Sequence, residues 1–357
     1  MNFHTIIKTA LIAAVGGFLF NLIHMPVPWM LGPLAALLIY KGIFRKSTAW
    51  PLTIREASQI ILGFVMGRSF SPEAGREIIH SFPAMFVTTV LIIAFTMLCG
   101  HIMSRHSSFS YSSCILGNIP GGMTQTALLC DEIEDADVSA VTILQTIRLL
   151  TVIFLVPFLV LHSTSALSAL SQNNQGIPAA PVFEHYPLLV LYILLSALAG
   201  LGARKIRIPT PYLLGPMLVV AVPSLIGVQA PHMPSVVVSA AQACFGAYLG
   251  NTIDIGKMEE YKKLLPFAFG ITFAVIALSM LAGYILTLIT HMDLLTAFLA
   301  TAPGGMSEMA VTAISVKADL PTVTSYQLFR VLFINLLTIP FVSFMLQRKM
   351  KQTLHSQ

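Results

Sequence analysis

The sequence predicts an all-α, multi-pass membrane protein made of two related halves, and three observations predict it. First, 56% of its 357 residues are hydrophobic and only 10% are charged, with a mean hydropathy of +0.81; soluble domains carry about 25% charged residues. Second, apolar runs recur along the whole length, which is the pattern of a polytopic protein. Third, motifs return in the same order at a fixed offset. PWMLGPL at Pro28–Leu34 returns as PYLLGPM at Pro211–Met217, QIILGFVMG at Gln59–Gly67 as QACFGAYLG at Gln242–Gly250, and PGGMTQ at Pro120 as PGGMSE at Pro303, all displaced by the same interval. QTIR at Gln145–Arg148 returns as QLFR at Gln327–Arg330, a single position short of that interval, which one deletion explains. A tandem duplication follows: a first repeat over 1–163, a polar linker over 164–185, a second repeat over 186–347 and a basic tail over 348–357.

The elements can be taken in order. The first half has apolar segments near 5–23, 28–43, 53–68, 82–103, 110–130 and 138–162; the second has them near 186–203, 211–227, 236–252, 264–289, 293–315 and 321–346. Lys8 ahead of Thr9–Ile23 superficially resembles a signal peptide, but no small-x-small cleavage site follows. A retained first helix is expected. In each second segment the LGP tripeptide (Leu31–Pro33, Leu214–Pro216) predicts a kink. In each third segment Gln59/Gly63/Gly67 and Gln242/Gly246/Gly250 share one helix face, which is small-xxx-small packing with a glutamine hydrogen bond. Each fifth segment carries Pro-Gly-Gly, which cannot continue a helix ladder.

Basic residues set the orientation. If all twelve segments cross, Arg105 and the C-terminal cluster of Arg348, Lys349 and Lys351 fall on the wrong side of the membrane. If each Pro-Gly-Gly segment enters and leaves by one face, those clusters join Lys41, Arg45, Lys46, Arg204, Lys205, Arg207, Lys257, Lys262 and Lys263 on the cytoplasmic side. The count is then ten spans and two re-entrant hairpins, with both termini cytoplasmic and the two halves inverted. Broken spanning helices remain the alternative. Inverted repeats with interrupted segments near the midplane are the architecture of many secondary transporters.

The interrupted segments also hold the polar residues. Asn118, Pro120, Gly121, Gly122, Thr124 and Gln125 lie in one copy, and Thr301, Pro303, Gly304, Gly305, Ser307 and Glu308 in the other. Unwound backbone survives in a bilayer only when buried in protein or lining a wet cavity. Freed amides suit an anion and freed carbonyls a cation; a tight crossing that needs small residues is the alternative. Glu308 is the one acid placed inside a membrane segment, opposite neutral Gln125 in the other repeat. It is a candidate for titration by H⁺ or replacement by Na⁺ binding, or for a structural ion pair with Arg330. Gln145/Arg148 and Gln327/Arg330 are spaced i, i+3 on one face. Each arginine is roughly 15 Å from its segment start, near mid-bilayer. Such a guanidinium grips a carboxylate or phosphate, or ties down the carbonyls of the broken helix; both roles are compatible.

Other features are bland. The four cysteines (Cys99, Cys114, Cys130, Cys244) form no CxxC, and the acidic run Asp131–Asp137 lacks the glycine and terminal glutamate of a calcium loop. No metal, cofactor or catalytic residue is expected.

At these motifs the sequence resembles the bacterial AbrB-duplication family of membrane proteins, through the duplicated GP element and the two PGGM[ST] segments, over essentially the whole chain. Its members are named as transcriptional regulators or as ammonia monooxygenases. Neither name fits the residues. The ten histidines lie at segment ends or in loops, with no i, i+4 pair inside a span, and a copper or iron oxygenase needs clustered ligands. No stretch between segments is long enough for a helix-turn-helix, so no nucleic acid partner is expected. At the level of the fold the chain is similar to inverted-repeat cation antiporters and organic-anion symporters.

The expectation is a secondary active transporter in the bacterial inner membrane, not an enzyme. It would carry a small anionic metabolite by alternating access, coupled to H⁺ or Na⁺. A membrane sensor that binds a ligand and affects gene expression indirectly is the alternative. A homodimer is compatible with the sequence but not specified by it.

Overall fold

The computed structural model describes residues 3–355 except 24, 26, 108, 122–125, 127–128, 131–132, 134, 163–185, 207 and 254–260. The linker at 164–185, Asp131, Glu132 and Glu134 of the acidic run, Arg207, Lys257 and three site candidates, Gly122, Thr124 and Gln125, lie outside the described residues. All regular structure among the described residues is helical. The first half gives α1 (Phe3–Leu22), α2 (Pro28–Phe44), α3 (Leu52–Arg68), α4 (Pro72–His106), α5 (Tyr111–Asn118) and α6 (Val138–His162). The second gives α7 (Tyr186–Lys205), α8 (Pro211–Leu225), α9 (Ser235–Thr252), α10 (Leu265–Thr290), α11 (Leu294–Thr301) and α12 (Met306–Ser315). It closes with α13 (Leu320–Phe333), a π-helical turn at Ile334–Thr338, and α14 (Ile339–His355). Helix α14 carries the basic tail through Arg348 and Lys351 without a break.

Six of these helices, counting α13 to α14 as one, are long and apolar enough to cross a membrane. Large apolar side chains stand open on their outer faces, such as Leu11 and Phe18 on α1 and Phe273 and Leu281 on α10. Lipid contact explains that exposure, because no water-facing surface would tolerate so much of it.

The chain divides into two compact units that cut across the sequence repeats. One comprises Met1–His80, Pro157–Ile255 and Ser307–Thr324; the other comprises Ser81–Val156, Gly256–Met306 and Ser325–Gln357. Each unit therefore collects corresponding helices from both repeats.

The first unit shows how. Helix α3 of the first repeat packs on α8 of the second, and α9 of the second packs on α2 of the first. A Cβ added at Gly63 would sit 2.3 Å from the Leu213 carbonyl oxygen, and one at Gly246 would sit 2.1 Å from the Met30 oxygen. Gly67 and Gly250 repeat the approach one turn on, against Met217 and Leu34. The small-xxx-small face is thus the seam by which the repeats exchange helices, as that motif predicts. The LGP motif adds a second set of close approaches. Helices α2 and α8 continue through Pro33 and Pro216, and the adjacent glycines are contact points. A Cβ on Gly32 would fall 2.3 Å from the Gly16 oxygen, and one on Gly215 would fall 2.6 Å from the Ala199 oxygen.

Both of these helices start the same way. Pro28 and Pro211 take the first helical position, where a missing N–H costs nothing. The residues before them, Val27 (φ 47°) and Thr210 (φ 45°), are β-branched and left-handed, a conformation such side chains resist. Their carbonyls accept from Met30 and Leu31, and from Leu213 and Leu214, so the first turns of the helices hold the strained geometry in place. At the helix ends, Arg68 donates to the Ala230 carbonyl at 2.9 Å. Asn251, its counterpart in the second repeat, accepts from Thr48 at 2.7 Å.

Candidate functional site

The second unit contains both Pro-Gly-Gly breaks and the helices that lead into them. Helix α5 is capped by Ser110, whose hydroxyl accepts from the Ser113 N–H at 3.1 Å. Helix α11 is capped by Asp293, the equivalent position of the second repeat, whose carboxylate accepts from Leu295 and Thr296. Each helix runs for eight residues and stops. The stop has one geometry in both copies. The Gly121 N–H donates to the Ile119 carbonyl at 3.0 Å, and the Gly304 N–H to the Ala302 carbonyl at 2.9 Å. Each bond spans two residues and closes a γ-turn whose centre is the proline, Pro120 or Pro303. The fixed φ of proline suits that position. Beyond the turn the copies diverge, since Gly121 has φ 126° whereas Gly304 is not among the positive-φ residues.

The helix that follows the first break shows where the chain goes. The Asp137 N–H, just before α6, donates to the Ser113 hydroxyl at 2.7 Å, near the start of α5. Deeper in, Gln145 reaches the Leu116 carbonyl at 3.2 Å and Arg148 the Gly117 carbonyl at 3.5 Å. Helices α5 and α6 therefore run parallel from a common level, and the chain between them must return to where it began. This is hairpin geometry, one of the two options the sequence left open.

Helix ends leave carbonyls without partners, and inside a membrane those carbonyls need donors. The polar candidates meet that need. The Asn118 amide donates to the Cys114 carbonyl at 2.8 Å. The hydroxyl of Thr301, its counterpart, has one proton to donate and lies within reach of the carbonyls of Ser279 on α10 and of Ala297 and Phe298 on its own helix. Gln327 donates to the carbonyls of Leu299, Ala300 and Ala302, while Gln145 serves Leu116 and the Thr126 hydroxyl.

The arginines differ more. Arg330 is 3% exposed. It donates to Ala302 and Gly304, each at 2.6 Å, and also to the Gln327 amide oxygen and, at 3.5 Å, to Thr301. No partner of Arg330 among the described residues is a carboxylate, so the structure favours carbonyl anchoring over the ion pair. A cation at a helix C-terminus also meets the negative end of the helix dipole. Arg148 is half-buried, and its one bond among the described residues is the 3.5 Å contact to Gly117. The two guanidinium groups lie within electrostatic reach of each other. The first break also packs on the second repeat, since Ile119 and Ile334 share a core cluster and Gly121 faces Ile334.

Ser307 and Glu308 belong to the first unit, in the opening turn of α12. Both are 6% exposed. An acid in a first helical turn, as Glu308 is, is favoured by the dipole.

Sequence reasoning missed the π-helical turn after Arg330. It carries Asn335 and Thr338, whose Oδ1 and Oγ1 atoms are buried without a partner among the described residues, as is the Arg330 Nε. Pro340 supplies the cause, since it has no N–H to give the Leu336 carbonyl its α-helical bond, which lets the turn widen. A lone Asn in the run VLFINLLTIP was the available signal.

Comparison with known proteins agrees with this picture. The protein YhjN of Bacillus subtilis (strain 168) is 28% identical over 354 residues, covering 92% of this chain and 90% of the relative. A protein of Escherichia coli (strain K12) named as a regulator, AbrB, is 27% identical over 328 residues, covering 91% of each. The family model described as "Transition state regulatory protein AbrB" matches residues 29–346, nearly all of the helical region laid out above, and the chain therefore belongs to the AbrB family.

Proposed function

We propose that the protein is a secondary active transporter of a small anionic metabolite in the bacterial inner membrane. The observation that carries this reading is that an arginine reaches the end of each broken helix, Arg330 bonded to three backbone carbonyls and Arg148 to one. In a low-dielectric site a guanidinium is a strong, planar grip for a carboxylate or phosphate. In this reading Arg148 holds the anion, Arg330 and Gln327 brace the second hairpin, and Glu308 couples movement to H⁺ or Na⁺. No chemical step on the substrate is assigned. The halves are inverted in the bilayer, and both termini face the cytoplasm.

Metabolite profiling of a deletion strain against its parent supplies candidate anions. Purified protein in proteoliposomes should then accumulate one of them against its gradient when given a proton or sodium gradient. Arg148→Gln should lose both binding and uptake, while Glu308→Gln should keep binding and lose gradient-driven accumulation. Labelling of a cysteine at Lys317 tests the topology, which places that residue outside.

The name of the Escherichia coli relative favours a second reading, a membrane sensor. Anion binding without flux under any gradient would select the sensor and sink the transporter.

A further inference from the structure

We propose that the groove between α1 and α9 is a binding site for an anionic phospholipid, with an acyl chain in the groove and the headgroup at its basic end. The groove lies wholly within the first unit. Its volume of about 520 Å³ falls in the range of sites that enclose a small ligand. Ala10, Ala13 and Ala14 on α1 and Ala240 and Ala243 on α9 form the walls. Side chains this small leave a slot where larger ones would close the helix pair.

Two further features give the slot a chemical preference. The chain has two tryptophans, and both Trp29 and Trp50 line this groove. Indoles concentrate where acyl chains meet headgroups. The Trp50 indole N–H is buried without an acceptor among the described residues, although a buried donor normally has one. A phosphate or ester oxygen would supply it. The second feature is charge. Trp50 packs with Ala13 and Ile12, and the Ala49 N–H next to it donates to Thr9. Exposed Arg45 and Lys46 lie in the loop leading to Trp50, and exposed Lys8 sits over the Tyr40 ring at 4.9 Å. Residues 1–55 contain no Asp or Glu to offset them. Cations at one end of an apolar slot match a lipid with a negative headgroup rather than a neutral one.

Because both tryptophans line the groove, the protein's whole indole fluorescence reports on it. Full-length protein would be reconstituted in mixed vesicles of phosphatidylglycerol and phosphatidylcholine, with one lipid at a time brominated on its acyl chains. At equal mole fraction, brominated phosphatidylglycerol should quench several-fold more effectively than brominated phosphatidylcholine. The combined Lys8→Gln and Lys46→Gln variant should erase that preference and leave ordinary quenching by phosphatidylcholine. Ala243→Leu should narrow the slot and reduce quenching by both lipids; should that variant fail to fold, the lysine variant still decides. Equal quenching by the two lipids in the native protein would overturn the proposal. So would protection from both lipids together with Ser239→Cys cross-linking between copies, which would give the groove to a second chain.

Discussion

The two halves began as copies, and the places where they still agree differ in kind from the places where they have parted. The glycine crossings agree closely, Gly63 on Leu213 and Gly246 on Met30. So do the γ-turns at Pro120 and Pro303. The arginines have parted. Arg330 is buried and donates to several carbonyls at the end of α11, whereas Arg148 is half-buried and barely bonded to the end of α5. Backbone contacts tolerate no alternative because a single added carbon would collide with a carbonyl. A long, flexible side chain can serve the same helix end or something else. The duplication thus preserved a frame and released one arginine from it.

The largest effect that would break or sharpen this contrast is on stability. Arg330→Ala strips donors from buried carbonyls and should cost about 2–5 kcal/mol, while Arg148→Ala, with one long contact to lose, should cost about 1 kcal/mol or less. Thermal unfolding in detergent compares them, and equal losses would show that both arginines are structural. Next come the crossings, where Gly63→Leu and Gly246→Leu should each destabilise by about 1–3 kcal/mol through overpacking. Their near equality is the point, and a crossing that tolerates leucine would mean the seam is not shared. Smaller still is Gly121→Ala, which forces a Cβ onto a left-handed backbone at about 1–2 kcal/mol. Gly304→Ala should cost less, because its backbone is not left-handed. The smallest pair is the caps. Ser110→Ala and Asp293→Ala should each lose about 1 kcal/mol, read most sensitively by hydrogen exchange of the first turns of α5 and α11.

Much of the site was legible because its residues break local rules. Proline and glycine inside an apolar run, and arginine at mid-helix, are costly in lipid, so each announces a purpose without any structure. Their return at one constant offset identified the frame. The LGP motif announced its proline, but not that the neighbouring glycine touches another helix. Local pattern cannot show that contact. The π-turn was missed for a similar reason, since Asn335 looks ordinary until Pro340 is seen to lack the N–H that an α-helical turn would use there.

What the sequence determined by itself was the membrane class, the duplication, the positions of the breaks and the residues that gather at them. These depend on composition, period and local stereochemistry, which are properties of short stretches. Only the tertiary structure decided that the compact units cut across the repeats, that the first break is a hairpin, and that two arginines with one motif have unequal surroundings. Each of those depends on which distant carbonyl lies within reach of a donor, and a helix's own sequence does not specify its neighbours.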